Sequence, residues 1–292
     1  MGTVDAQPNL ETAAPIKIPM HILIKPLGIL TLFDIHPVVK VQVGSNGHQE
    51  KLFFLVDTGC TNTTIDTKTA TWLSLAVGAE AYTGIGAYSQ FVSHKADLPW
   101  LRLGPIEEHH LPVQVMDLSK ANFIGDIAGI LGVDFWKKYL LTFDYERNEI
   151  ELSSSPELKS KRQVWIIPTF DDEQGRLYVN GTIDNSRLVP MLIDTCSPTT
   201  TMPYELAKEI FADKIEKSKF RDYEWDVNGG KAKVAIVHTQ SFQMGDFACT
   251  GLVIHVFKDE GQGSNVCIIG SDFLRNYRVG FDFPNQRLIL EK

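Results

Sequence analysis

The chain lacks most of the features that would assign a function at sight. Its 292 residues hold only four cysteines, Cys60, Cys196, Cys249 and Cys267. They are too few and scattered for a disulfide scaffold, and no C-x-x-C or His-containing zinc spacing accompanies them, so reduced thiols and no metal are expected. No stretch reaches the roughly 18 apolar residues of a membrane span. The most apolar N-terminal piece, residues 22–33, is interrupted by Lys25 and Pro26 and follows no basic segment, so no signal peptide is expected. Met1-Gly2 is followed by Ala6 where a myristoylation site wants Ser or Thr. Basic runs are missing too: 28 Lys+Arg against 36 Asp+Glu leave a net charge of −8, which argues against nucleic acid and anionic membrane as partners. No Ser/His/Asp nucleophile motif appears, and His109-His110 reads as a solvent-exposed pair.

What is present is globular: 43% hydrophobic and 22% charged residues, in a length that suits about two domains. Residues 1 to about 15 are polar and aperiodic and read as a loose tail. From Met20 onward, short runs rich in Val, Ile, Leu, Phe and Thr alternate with Gly, Asn, Asp and Pro, as at 38–43, 52–56, 113–116, 140–143 and 234–237. Helical periodicity is clear only over Pro203–Ile215, with Leu206, Ile210, Phe211 and Ile215 as its apolar face. The chain is expected to be mostly β, with few short helices.

An internal repeat organises it. Leu55-Val56-Asp57-Thr58-Gly59-Cys60 recurs as Leu192-Ile193-Asp194-Thr195-Cys196-Ser197. Ile130-Leu131-Gly132-Val133-Asp134-Phe135 recurs as Ile268-Ile269-Gly270-Ser271-Asp272-Phe273, and Tyr139 with Phe143-Asp144-Tyr145 as Tyr277 with Phe281-Asp282-Phe283. The offsets agree, 194 − 57 = 137 and 270 − 132 = 138. The polar stretch 153–162 lies between the copies and reads as a linker. Asp-Thr-Gly after an apolar strand puts a carboxylate where a buried strand meets a tight turn, and Gly lets the backbone amides face it. Two such carboxylates brought together cannot both ionise; the ionised one can activate a water while the protonated one bonds a peptide carbonyl. Such chemistry needs no metal, cofactor or covalent intermediate.

These motifs resemble the aspartic proteases, and the bacterial retropepsin-like group more closely than the large pepsins. The resemblance rests on Asp57-Thr58-Gly59 with Asp194-Thr195, on Ile130-Leu131-Gly132 with Ile268-Ile269-Gly270, and on Thr83-Gly84-Ile85-Gly86-Ala87-Tyr88, which looks like a retroviral flap tip. It covers roughly residues 38 to 292 and implies two similar acid-protease lobes related by a pseudo-twofold axis. Expected boundaries are a tail and possible terminal strand at 1–29, a first lobe at 30–154, a linker at 155–162 and a second lobe at 163–292. Asp57 and Asp194 would be the catalytic pair, supported by Thr58, Gly59, Thr195 and Cys196, with Thr58 and Thr195 bonding across the axis. Tyr82, Thr83, Gly84, Ile85 and Gly86 would form a substrate-binding flap, and Asn228-Gly229 the turn of its counterpart. Residues 21–25, 149–152 and 287–290 are candidates for the sheet that this family builds from its chain ends.

The resemblance implies an endopeptidase acting on peptides or proteins, sufficient as a monomer because both halves share one chain. The departure from the family pattern is Cys196 in the place of the second Gly, and it opens an alternative: an impaired pseudoprotease that binds peptides without cleaving them. Cys60 and Cys196, each close behind an aspartate, are read as two thiols that approach one another below the pair. With Cys60 replacing a hydroxyl donor in the first loop, an activity optimum between about pH 4 and 6.5 is expected. Asp134 and Asp272, each before a Phe-x-x-x-Tyr turn, are read as capping or structural residues. A glycan on the sequon at Asn62, five residues from Asp57, would obstruct the cleft. The bacterial cytoplasm or periplasm is therefore the expected location.

Overall fold

A computed structural model of the chain describes residues 14–26, 33–85, 90–119, 126–154, 162–224, 231–258 and 266–292. The tail through residue 13, the linker residues 155–161 and both expected flap tips (Gly86 to 89, and Asn228-Gly229 within 225–230) lie outside the described residues.

The protein is mostly β and bilobal, as the repeat predicts. Each half contains an equivalent hairpin, Phe33–Ser45 with His48–Val56 and Leu177–Ile183 with Leu188–Ile193. Left-handed residues close both turns: Asn46 and Gly47 (φ 50° and 84°), and Asp184 and Asn185 (φ 48° and 53°). This is the backbone that a tight, twisted hairpin requires. The second strand of each hairpin then runs parallel to a short, wholly buried strand, Ile127–Leu131 in the first half and Cys267–Ile269 in the second. These inner strands are covered on both faces and therefore read as unbroken apolar runs.

A six-strand stretch joins the halves, in the order Val164–Pro168, Arg287–Glu291, Arg278–Asp282, Leu140–Asp144, Glu149–Ser153 and Ile16–Pro19. At its centre Thr142 pairs with Gly280, and 280 − 142 = 138 is the repeat offset. The pseudo-twofold axis therefore passes through this residue pair. Beside it Phe143 and Phe281, equivalent in the repeat and both fully buried, meet edge to face with centroids 5.5 Å apart. Truncating either to Ala is expected to cost about 3–5 kcal/mol in urea unfolding, because it opens a cavity where both halves share one core.

The shared sheet corrects one expectation. Residues 149–152 and 287–290 enter it, but 21–25 do not: His21 to Lys25 pair with Val38 to Asp34 in the first half. The eleven-residue strand Ile16–Pro26 is long enough to serve two sheets, and its first four residues take the shared place. The alternation there explains the choice. Ile18 and Met20 are buried on one face, while Lys17 on the other reaches Glu149 and Glu151 at 2.9 and 3.0 Å. The long helix runs Tyr204–Glu216 with Pro203 as its N-cap residue, and it buries Ala207, Phe211 and Ile215. Leu206 and Ile210 flank that face, half-buried. The other α-helices among the described residues, Thr67–Trp72, Val133–Trp136 and Ser271–Leu274, are short. No helix among the described residues is long and apolar enough to cross a membrane.

Candidate active site

The two Asp-Thr loops leave their buried strands at Val56 and Ile193 and meet across the axis. Asp57 Oδ1 accepts from the amides of Gly59 (2.8 Å) and Cys60 (3.0 Å). Asp194 Oδ1 accepts from the amides of Cys196 (2.8 Å) and Ser197 (3.0 Å). The threonines lock the loops reciprocally. Thr58 N donates to Thr195 Oγ1 (3.2 Å) and Thr195 N to Thr58 Oγ1 (3.1 Å). Each hydroxyl in turn donates to the opposite strand end, Thr58 Oγ1 to Ile193 O (2.8 Å) and Thr195 Oγ1 to Val56 O (2.7 Å). Both threonines are buried, so every one of these groups is satisfied without water.

The second repeated motif runs behind these loops. Asp57 N donates to Leu131 O and Asp194 N to Ile269 O, at 3.1 and 3.0 Å. Gly132 then passes so close to the first loop that a Cβ on it would meet Asn62 C at 2.6 Å and Cys60 O at 2.9 Å. Gly270 stands likewise against Thr199 C (2.4 Å) and Ser197 O (2.8 Å). Backbone faces backbone at both places, so no side chain can turn aside. Gly132→Ala and Gly270→Ala are each expected to lower stability by at least about 1–3 kcal/mol and to displace the adjacent aspartate, read as a lower Tm together with lost activity.

Asp134 and Asp272 hold the loops from the far side. Asp134 Oδ1 accepts from Thr63 N (2.8 Å), Thr63 Oγ1 (2.7 Å) and Phe135 N (2.8 Å). Asp272 Oδ1 accepts the equivalent three from Thr200 and Phe273, each at 2.8 Å. Their structural reading fits this geometry, and Thr63 and Thr200 are the partners that sequence reasoning missed.

Electrostatics set the central pair apart. Burial, and then the charge of Asp194, push Asp57 up from its ordinary 3.8 to about 8, against the pull of the two amides. Burial raises Asp194 as well, opposed by its own amides and by the nearby His36 and Arg176. Neither His36, buried on the first hairpin, nor Arg176, held by Asp172 Oδ2 at 2.7 Å, carried a sequence signal for this neighbourhood.

The strands expected to carry the first flap pair antiparallel, Ala81–Ile85 with 90–94. Gly84 faces Phe91, whose ring fills the space where a Cβ would stand, 2.2 Å from Cζ. Phe91 packs with Cys60 and Cys196 against Val38, Met116 and Ile130, so the flap base and both loop thiols share one apolar cluster. Phe91 was also missed; its only signal was its place across from Gly84. Thr83 is exposed, and Tyr82 sends its hydroxyl to Glu80 (2.6 Å) under the ammonium of Lys95. None of the four cysteines is in a disulfide. Among the described residues no group of His, Cys, Asp and Glu is arranged to hold a metal ion.

Comparison with known proteins agrees with the repeat. A family model described as aspartyl protease matches residues 39–135 and again residues 179–273. No curated protein matches the chain.

Proposed function

The chain belongs to the aspartyl protease family, a family of peptide-bond hydrolases, and from that premise we propose that it is an aspartic endopeptidase whose catalytic pair is Asp57 and Asp194. One observation carries the reading: two half-buried carboxyls, each cradled by two amides, stand close enough that the charge of one raises the other. Such a pair holds a single proton over a wide range of pH. The ionised member takes a proton from a water, whose oxygen adds to the peptide carbonyl carbon, while the protonated member donates to the carbonyl oxygen. The tetrahedral diol then collapses as the leaving nitrogen takes up a proton and the C–N bond breaks. The pair returns to its singly protonated state.

The substrate is an extended peptide, bonded along its main chain by the hairpin of 81–85 with 90–94 and seated on the apolar cluster around Phe91. The lobes are proposed at 30–154 and 163–292 and work as a monomer. The pseudoprotease alternative finds no support in the second loop's backbone: Cys196 and Ser197 present their amides to Asp194 at the same 2.8 and 3.0 Å as Gly59 and Cys60 present to Asp57.

Digestion of a diverse peptide library, with and without a statine-type inhibitor, tests the reading. Inhibitor-sensitive cleavage is expected, and no cleavage at any pH between 3 and 8 (a range of about five units, set by where such a pair titrates) would leave only a binding module. The raised pair also predicts the shape of the pH profile. Hydrolysis should persist at neutral pH and fall as pH rises through about 8, where Asp57 loses its proton. A profile already lost by pH 5, about three units below, would contradict it.

A further inference from the structure

The bonds that cradle the two aspartates and lock the two threonines match across the axis, but the residues that face the opposite carboxyl do not. Gly59 lies face-on to the opposite carboxyl: a Cβ there would meet Asp194 Oδ2 at 2.4 Å and Cγ at 2.5 Å. Its equivalent across the axis is Cys196, which does carry a side chain, and that side chain is turned to the opposite aspartate. The Cys196 amide donates to Asp194 Oδ1 at 2.8 Å. Its thiol stands 3.5 Å from Val56 O, the carbonyl that leads directly into Asp57, and from there it favours the ionised Asp57 carboxyl. Cys196 thus serves both loops: its amide holds the Asp194 carboxyl, and its sulfur lies at the strand end that carries Asp57. A glycine would supply only the first contact.

A thiol has one hydrogen, so Val56 O and Asp57 compete for it. An ionised carboxylate is the stronger acceptor and a neutral one the weaker, so the S–H turns to Asp57 when Asp57 is charged and to Val56 O when it is not. Thr195 Oγ1 already donates to Val56 O, so releasing that carbonyl leaves it satisfied. We propose that Cys196 is a positioning residue of the catalytic pair, a donor that follows the charge of Asp57 and makes the two carboxyls unequal.

The ionisable groups around this contact are Asp194 from its own loop, Cys60 with Asp134 behind it, Tyr145 beneath, and His36 and Arg176 beyond Asp194. The Tyr145 hydroxyl is buried, has no hydrogen-bond partner among the described residues and lies within electrostatic reach of Cys196. Tyr145 has Phe283 as its counterpart. The two departures from symmetry therefore stand side by side.

The inference rests on Asp57 and Asp194 being the catalytic pair, and its test separates the two claims. Cys196→Ala, Cys196→Gly and Cys196→Ser are compared with wild type by pH profiles of kcat/KM and by carbon NMR titration of the aspartate carboxyls. Removing the donor in the Ala and Gly variants is expected to move the alkaline limb, and the Asp57 carbon titration with it, upward by about half a pH unit or more. The Ser variant, which keeps a donor, should return both to the wild-type position or below it. Unchanged limbs and titrations in Ala and Gly, or a gain in turnover in Gly, would overturn the proposal. If the Gly variant fails to fold, the Ala and Ser pair decides. If the wild type cleaves nothing yet the Asp57 titration moves in Cys196→Ala and returns in Cys196→Ser, the protease reading fails while the donor assignment stands.

Discussion

Asp57→Asn is expected to lower kcat/KM by at least about 10³-fold while raising stability at alkaline pH. The same loss is expected for Asp194→Asn. Either change removes one half of the proposed acid–base pair, and general acid and general base contributions are each worth about 10² to 10⁴. The amides of Gly59 and Cys60 hold Asp57 through a single oxygen, which an Asn carbonyl can replace, so the loop is retained. The stability effect follows from linkage. In the unfolded chain Asp57 loses its proton near 3.8, and in the folded protein near 8. Between those values the folded state binds more protons, so stability falls as pH rises through that window, and the penalty is fully present above about 8. Asn carries no charge and escapes it. At pH near 8.5, just beyond that window, the variant is therefore expected to exceed wild type by at least about 1 kcal/mol in urea unfolding, with the difference vanishing near pH 4. A variant that keeps its activity would remove Asp57 from the reaction. One that is less stable than wild type at both pH values would remove the charge-burial argument.

Much of this site was legible in the sequence because it is encoded twice. A lone Asp-Thr-Gly is a common turn, but the offset between Asp57 and Asp194 agrees to within one residue with that between Gly132 and Gly270 and between Phe143 and Phe281. The structure accounts for that coincidence: the glycines press on the loops from behind, and the phenylalanines meet on the axis. What was not legible is whatever breaks the repeat or depends on pairing. The direction of the Cys196 side chain follows from the approach of two loops distant in sequence, which no local pattern records. His36 and Phe91 lie on strands whose alternation fits an ordinary sheet, and only the fold brings them toward Asp194 and the loop thiols. The chain-end sheet was misplaced for a related reason. Residues 21–25 are the more apolar segment, but the shared sheet needed a lysine opposite Glu149 and Glu151, and that lysine is Lys17.

Charge also breaks the symmetry of the shared sheet, and Arg278→Met is expected to expose it. Asp282 and Asp144 are equivalent in the repeat and both buried. Asp282 is neutralised within its own hairpin, where it pairs in register with Arg287 and accepts from that residue's Nε at 3.0 Å. Asp144 has no such neighbour: its register partner is Glu149, the counterpart of Arg287 and of like charge. Its cations are Arg147 and, from the other half of the chain, Arg278, each at 3.7 Å. Arg278 also donates to Glu151, and its Nη1 lies 2.9 Å from Glu291. One guanidinium therefore serves three buried carboxylates on three strands, two from the first half and one from the second. Met matches its length but leaves those charges to Lys17, Arg147 and the field of Arg162, and breaking a buried ion pair by removing one partner costs about 3–5 kcal/mol. A loss of about 3 kcal/mol in urea unfolding at neutral pH is expected, large beside the usual net stability of roughly 5–15 kcal/mol. Because the stranded groups are acids, the deficit should narrow as pH falls through the carboxylate range, and Arg278→Met combined with Glu151→Gln should recover part of it. A deficit below about 0.5 kcal/mol that does not change with pH would mean that water, not Arg278, solvates these carboxylates.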